Sequence, residues 1–183
     1  MTAFSGNWFG RRAARRKAAE AAWRGLLRQA LEPGVYASGG VPDTFEGRAA
    51  MVTVMTALVC VRLSRIPGPE PARLVSLIDR LALDGFDAAF REKGVGDHSI
   101  ARKVRKLAET HAGLGKALFA ALSASEEAGR AEAVAAILVR NGLVVPERAG
   151  ALAGQLLTLK AGLEGLADGE VLAGRLDWPR PAA

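Results

Sequence analysis

Asp43-Thr44-Phe45-Glu46-Gly47-Arg48-Ala49-Ala50-Met51-Val52-Thr53-Val54-Met55-Thr56-Ala57-Leu58-Val59-Cys60-Val61-Arg62-Leu63-Ser64 is the stretch on which the fold class turns. Its middle, Val52-Thr53-Val54-Met55, is β-branched enough to imitate a strand. The apolar run from Ala49 to Val61, thirteen residues counting its two threonines, exceeds an ordinary strand and so predicts a helix. Asp43 or Thr44 can accept from the exposed N–H groups at its start, and Glu46 stands three residues after Asp43 as in a capping box. A membrane span needs about 20 apolar residues. The run falls short of that, which predicts a buried helix in an all-α protein.

Outward from this segment, the punctuation predicts six to seven helices in a bundle-like array. Upstream, a helix is expected from about Ala13 to Leu31, with Trp23, Leu27, Ala30 and Leu31 on one stripe and Pro33-Gly34 as its stop. Arg12 and Arg16 fall on the same side of the wheel as Trp23 and Leu27. The C-terminal half of this helix is therefore expected to dock and its N-terminal half to project or fray. Residues 34–43 read as a loop.

Downstream, Pro67-Gly68-Pro69-Glu70-Pro71 breaks the chain, and Pro71 suits the first turn of a helix running to about Lys93. Its expected face is Leu74, Leu77, Ile78, Leu81, Gly85 and Ala89. Gly94 suits the position past its end, and Asp97 or Ser99 can cap the next helix. That helix has an apolar stripe, Ile100, Val104, Leu107, His111, Leu114 and Leu118, opposite a basic face of Arg102, Lys103, Arg105 and Lys106. Ser123 with Glu126 predicts a further capping box, and Asn141-Gly142 a helix stop. Pro146 is expected to open a helix to about Ala167, Asp168-Gly169 to turn the chain, and Trp178-Pro179-Arg180-Pro181 to close it. No repeat of 20–50 residues is visible. The domain reading is a basic arm at 1–17, a helical domain at 18–175 and a Pro-rich tail at 176–183.

The 183 residues suit one domain, and half of them are hydrophobic, which excludes wholesale disorder. Cys60 is the single cysteine, so no disulfide and no cysteine zinc site can form within the chain. In its apolar run it reads as an inert core residue. The formal charge of +6 is localised. Residues 1–30 carry Arg11, Arg12, Arg15, Arg16, Lys17, Arg24 and Arg28 against Glu20 alone, an arm suited to phosphates, anionic lipids or acidic proteins. No apolar stretch of signal-peptide length follows Arg11-Arg12, so neither a secretory nor a twin-arginine signal is expected. The Arg- and Ala-rich start leaves a mitochondrial presequence open.

Little in the chain assembles into an active site. His98 and His111 form neither an HxxxH nor an HExxH pair, and no cysteine is near them. His111 on its apolar stripe reads as a core or boundary histidine. Gly94-Val95-Gly96 lacks the third glycine and the preceding strand of a dinucleotide loop. Neither a phosphate-binding GxxxxGK[ST] loop nor a G-x-S-x-G elbow occurs. Asp84 and Asp87, near Glu92, read as a solvated face. No nucleophile, base and oxyanion donor come together, so neither enzyme activity nor a metal or other cofactor is expected.

Two segments carry a family resemblance. Gln29-Ala30, Tyr36 and Gly40-Val41-Pro42-Asp43-Thr44-Phe45-Glu46-Gly47-Arg48 form the first. Phe90-Arg91-Glu92-Lys93-Gly94-Val95-Gly96-Asp97, followed by the basic helix Ile100–Glu109, forms the second. Together, over about residues 23–142, they resemble the ubiquinol–cytochrome c chaperone family. The chain departs from the family pattern in having Met55 where a histidine is usual. It also has Val61-Arg62 in place of paired arginines, and Thr110 to Leu114 in place of an aromatic F-Y-G-R.

The resemblance implies an all-helical assembly factor for the cytochrome bc1 complex, without enzyme activity. Its expected client is cytochrome b or another subunit, and the ribosome and an anionic membrane surface are expected as further partners. A small-molecule substrate is not expected. The short lead before the matching segments favours a bacterial cytoplasm, with peripheral contact at the inner membrane, and the mitochondrial matrix is the eukaryotic equivalent. The expected partner-binding residues are Pro42, Asp43, Arg48, Arg91, Glu92, Gly94, Gly96, Asp97, Arg102, Lys103 and Lys106. Turn geometry and capping account equally for the Pro42-Asp43 and Gly94–Asp97 segments. Two alternatives remain. One is a ribosome- or nucleic-acid-binding protein using the basic arm and the Arg102–Lys106 face. The other is a peripheral membrane adaptor anchored by Trp8 and Phe9 beside the arginines.

Overall fold

The computed structural model describes residues 6–38, 40–92 and 97–178, the side chains of Gly6, Asn7, Ser38 and residues 97–100 excepted. Among these residues the chain forms helices without strands: α1 (Gly6–Ala30), α2 (Pro33–Ser38), α3 (Phe45–Ser64), α4 (Glu70–Glu92), α5 (Asp97–Ser123), α6 (Arg130–Arg140), α7 (Pro146–Glu164) and α8 (Asp168–Leu172). The expected all-α, bundle-like architecture is observed.

The decisive segment is a helix, and it is the axis of the fold. Every residue from Met51 to Val59 is buried, as are Val61, Arg62 and Leu63. A helix apolar all round must be surrounded, and α3 packs against α1, α4, α5 and α7. As a whole helix it is long and apolar enough to cross a membrane, but 78% of that window is buried inside the fold. Thr44 is its cap, accepting from the Gly47 N–H at 3.1 Å. The expected capping box at Asp43 and Glu46 does not form, because Asp43 instead accepts from Arg48 at 2.7 Å. Gly47 is required here, since a Cβ would lie 2.1 Å from the Pro42 carbonyl oxygen.

Several expected boundaries move. α1 begins at Gly6, and its buried line is Ala18, Ala19, Ala22, Leu26 and Ala30, with Leu31 exposed. Its N-terminal half is tied down by Arg15, whose guanidinium donates to both Glu70 carboxylate oxygens at 2.8 and 3.0 Å. Pro33 opens the short helix α2 within the expected loop, and the Tyr36 hydroxyl donates to the Ala30 carbonyl at 2.6 Å. α4 buries Leu74, Ile78, Ala82, Phe86 and Phe90, an i,i+4 row oblique to the axis. The expected row at Leu77, Leu81 and Gly85 is half-buried along α1, where a Cβ on Gly85 would stand 3.2 Å from the Trp23 indole.

The capping box expected at Ser123 does not form either. The stripe Leu114, Leu118, Leu122 carries α5 through Ser123, and α6 begins after Gly129, whose φ is +75°. Asp168-Gly169, expected as a turn, opens α8.

Two charged side chains, Arg62 and Lys160, are buried in this core, and Lys160 pairs with Glu164 at 2.8 Å. Arg62 is 6% exposed. It donates to the Leu163 carbonyl at 2.9 Å, the Leu166 carbonyl at 2.7 Å and Asp168 at 2.6 Å, joining α3 to the end of α7 and the start of α8. After α8, Gly174 (φ +74°) lies so close to α1 that a Cβ would meet the Ala18 carbonyl oxygen at 2.0 Å. Leu176 and Trp178, at the start of the segment read as a tail, pack on the core beside it.

Candidate functional site

Between α3, α4 and α5 the surface opens into a cleft of about 700 Å³, floored by Thr53, Thr56, Ala57 and Cys60. Small residues on α5, Ala108, Ala112 and Gly115, leave the space, while Leu83 and Phe119 stand exposed beside it. A second groove of about 410 Å³ lies on the other side of α5, lined by Pro42, Phe45, Phe90, Lys103, Lys106 and the Asn141–Leu143 turn among others. Thr53 and His111 line both. They face each other at 2.6 Å and so form the divide between the two spaces. The Thr53 hydroxyl also lies 3.1 Å from the Ala49 carbonyl, and its one proton goes there when His111 carries a proton on Nδ1 and to His111 when it does not.

The electrostatics of the larger cleft follow from the burial of its titratable groups. Burial lowers the His111 pKa, with the nearby Asp79 carboxylate pulling the other way. Burial raises the Asp79 carboxyl, and His111 opposes that in turn. For both groups desolvation outweighs their mutual attraction, so the cleft favours neutral forms. Burial, helped by the Asp79 charge, pushes the Cys60 thiol up to about 12. A thiol of that kind is a weak nucleophile. The Phe86 ring stands edge-on to His111 at 5.4 Å.

The two sequence motifs meet in the smaller groove. The Phe45 and Phe90 rings, one from each motif, are 4.6 Å apart. Pro42 lines the groove, and Lys103 and Lys106 rise from its α5 wall. Arg102 is exposed on α5 and is not part of the lining.

The remaining expected contact residues have local partners or lie elsewhere. Arg48 pairs with Asp43 at 2.7 Å and lies over the Tyr36 ring at 5.4 Å. The Arg48 hydrogen bond holds the Asp43 carboxyl below its usual range. Arg91 pairs with Asp87 at 2.8 Å one helical turn away, and Glu92 ends α4 exposed. Gly94 and Gly96, with the side chain of Asp97, lie outside the described residues.

Thr53, His111, Asp79, Leu83 and Phe119 were absent from the expected set. Helical periodicity places His111 and Phe119 on α5, but only the packing of α3 and α4 turns them into cleft walls. Among the described residues no three His, Cys, Asp or Glu side chains gather as metal ligands would.

These features define an all-α domain built around a divided, largely apolar cleft. The chain belongs to the ubiquinol–cytochrome c chaperone family, whose profile matches residues 37–178. It is also similar to the Cbp3 homolog from Brucella abortus, known from a crystal structure. The two share 27% identity over 95% of this chain and 96% of that one, with a TM-score of 0.78. No curated protein matches the chain.

Proposed function

We propose that this chain is an assembly chaperone that holds an apolar segment of a cytochrome bc1 subunit, with cytochrome b as its client, and that it binds without catalysing a reaction. The divided cleft carries this reading. A membrane subunit presents apolar helices before they are packed, and an open apolar cleft rimmed by Leu83 and Phe119 offers them cover. Lys103 and Lys106 in the adjoining groove suit polar, acidic flanks of the same client. On this reading the protein works at the surface of the membrane in which the complex is built.

The test is a photoreactive side chain at Phe119, together with a Leu83→Asp/Phe119→Asp variant whose helicity matches the parent. We expect a crosslink to cytochrome b, and a fall in assembled bc1 complex in cells carrying the variant. A folded variant that supports normal bc1 levels would remove the cleft from the mechanism.

The ribosome is a second partner on this reading. Arg102, Lys103, Arg105 and Lys106 are exposed and make no ion pair among the described residues. Ribosome co-sedimentation that weakens steeply with salt is the expected result. Binding indifferent to salt would count against it.

A further inference from the structure

The N-terminal half of α1 and the outer face of α4 form a surface with no part in the client cleft. Trp8 and Phe9 are 48% and 67% exposed at the tip of α1. Their rings stand edge to face at 4.8 Å and 81°, and the Arg12 guanidinium lies 5.0 Å over the Trp8 ring. On a helical wheel Trp8, Arg12, Arg16 and Phe9 share an arc of about 100°.

The fold extends this arc in a way the linear sequence does not show. Two hollows of about 460 and 720 Å³ between α1 and α4 share Arg12, Arg15 and Arg73, and so make one continuous face. α4 contributes Arg73 and Arg80 to it. Six arginines stand there against three carboxylates, Glu20, Glu70 and Asp84. Glu70 is taken by Arg15 and Arg73, and Glu20 by Arg16. Arg11, Arg12 and Arg80 make no ion pair among the described residues.

We propose that this α1–α4 arginine face, tipped by Trp8 and Phe9, docks on an anionic phospholipid surface. Aromatic rings with a polar edge settle at the depth of lipid headgroups, and guanidinium groups beside them meet lipid phosphates. A nucleic-acid surface fits less well. Stacking needs an open ring face, whereas one face of Trp8 is taken by Arg12 and the ring meets Phe9 in an edge-to-face contact. The proposal goes beyond the client reading, and its assay contains no cytochrome, so the two can fail separately.

The experiment is co-sedimentation of the full chain with vesicles of phosphatidylcholine alone or with about one-third phosphatidylglycerol, at roughly physiological salt. We expect binding only to the anionic vesicles, and a fall of roughly 25-fold for each of the charge reversals Arg12→Glu and Arg80→Glu. Trp8→Ser/Phe9→Ser should weaken binding by about tenfold or more. Brominated lipid should quench the parent's tryptophan emission, and Trp8→Phe should remove that quenching. Arg28→Glu, exposed on α1 outside this face, is the control for net charge.

Equal binding to both vesicle types, or none, overturns the proposal. So does an Arg28→Glu loss as large as that of Arg80→Glu. Tighter binding to a single-stranded RNA than to the anionic vesicles, weakened by the same variants, reassigns the face to nucleic acid and likewise overturns it.

Discussion

Replacing Arg62 by methionine separates two accounts of why a charge is buried at the centre of this fold. Methionine keeps most of the stem and removes the guanidinium. The guanidinium makes two bonds to main-chain carbonyls, Leu163 at 2.9 Å and Leu166 at 2.7 Å, and one to Asp168 at 2.6 Å. Bonds of this charge-assisted kind contribute about 1.5–3 kcal/mol each. The Asp168 side chain is 55% exposed, so its ion pair contributes at most about 1 kcal/mol. Relief from desolvating the guanidinium returns part of the total.

The net expectation is a loss of about 2–4 kcal/mol for Arg62→Met and about 1 kcal/mol for Asp168→Asn. For a chain of this size, 1 kcal/mol moves Tm by about 2–4 °C. Arg62→Met should therefore melt about 5–15 °C below the parent by circular dichroism, and Asp168→Asn only a few degrees below. Arg62→Lys, which keeps the charge but loses the fork, should fall between them. If Asp168→Asn costs as much as Arg62→Met, the ion pair is the main element and capture of the Leu163 and Leu166 carbonyls is the wrong explanation.

Four further outcomes follow from the same packing. Gly47→Ala should destabilise by about 1–3 kcal/mol in urea unfolding despite alanine's better helix propensity, because the new methyl must displace the Pro42 carbonyl; an unchanged midpoint would contradict that contact. His111 has a folded-state pKa below its ordinary 6.5, so the folded state disfavours its protonation. The associated stability is fully present above about pH 6.5 and is lost as the pH falls through the lowered value. His111→Gln should flatten the acid side of a Tm–pH profile in that window. Asp79 acts with the opposite sign, its raised carboxyl favouring the folded state as the pH falls towards 4, and Asp79→Asn isolates it. Cys60, with its thiol pushed up to about 12, should resist alkylation at pH 8 in the native protein and react at once in denaturant; rapid native labelling would show that burial does not suppress the thiolate.

What was legible along the chain was local. The length of the Ala49–Val61 run settled helix against strand, and Pro146 opened its helix as expected. The ends that moved are those where one local signal competed with another. Pro33 can stop one helix or start the next, and here it begins α2. Ser123 offered a cap, but buried Leu118 and Leu122 kept α5 going.

The site was less accessible, because its members are distant in sequence. Thr53 and His111 are 58 positions apart, and Arg62 lies 101 to 106 positions from the groups it holds. In the sequence Arg62 stood out only as a departure from a paired-arginine pattern. The motif residues Phe45 and Phe90 were visible, but nothing local said that they would meet.

The contact between Gly174 and the Ala18 carbonyl bears on the order in which the molecule can be made. During synthesis α1 emerges before the backbone that seals its inner surface, which arrives only after α2 to α8 have been translated. Until then Ala18, Ala19 and Ala22 lack part of their cover, and the α1–α4 pairing must hold the helix without it. Completion of this contact is therefore timed by the segment that follows α8, and a ribosome stalled before residue 174 would display α1 still unsealed.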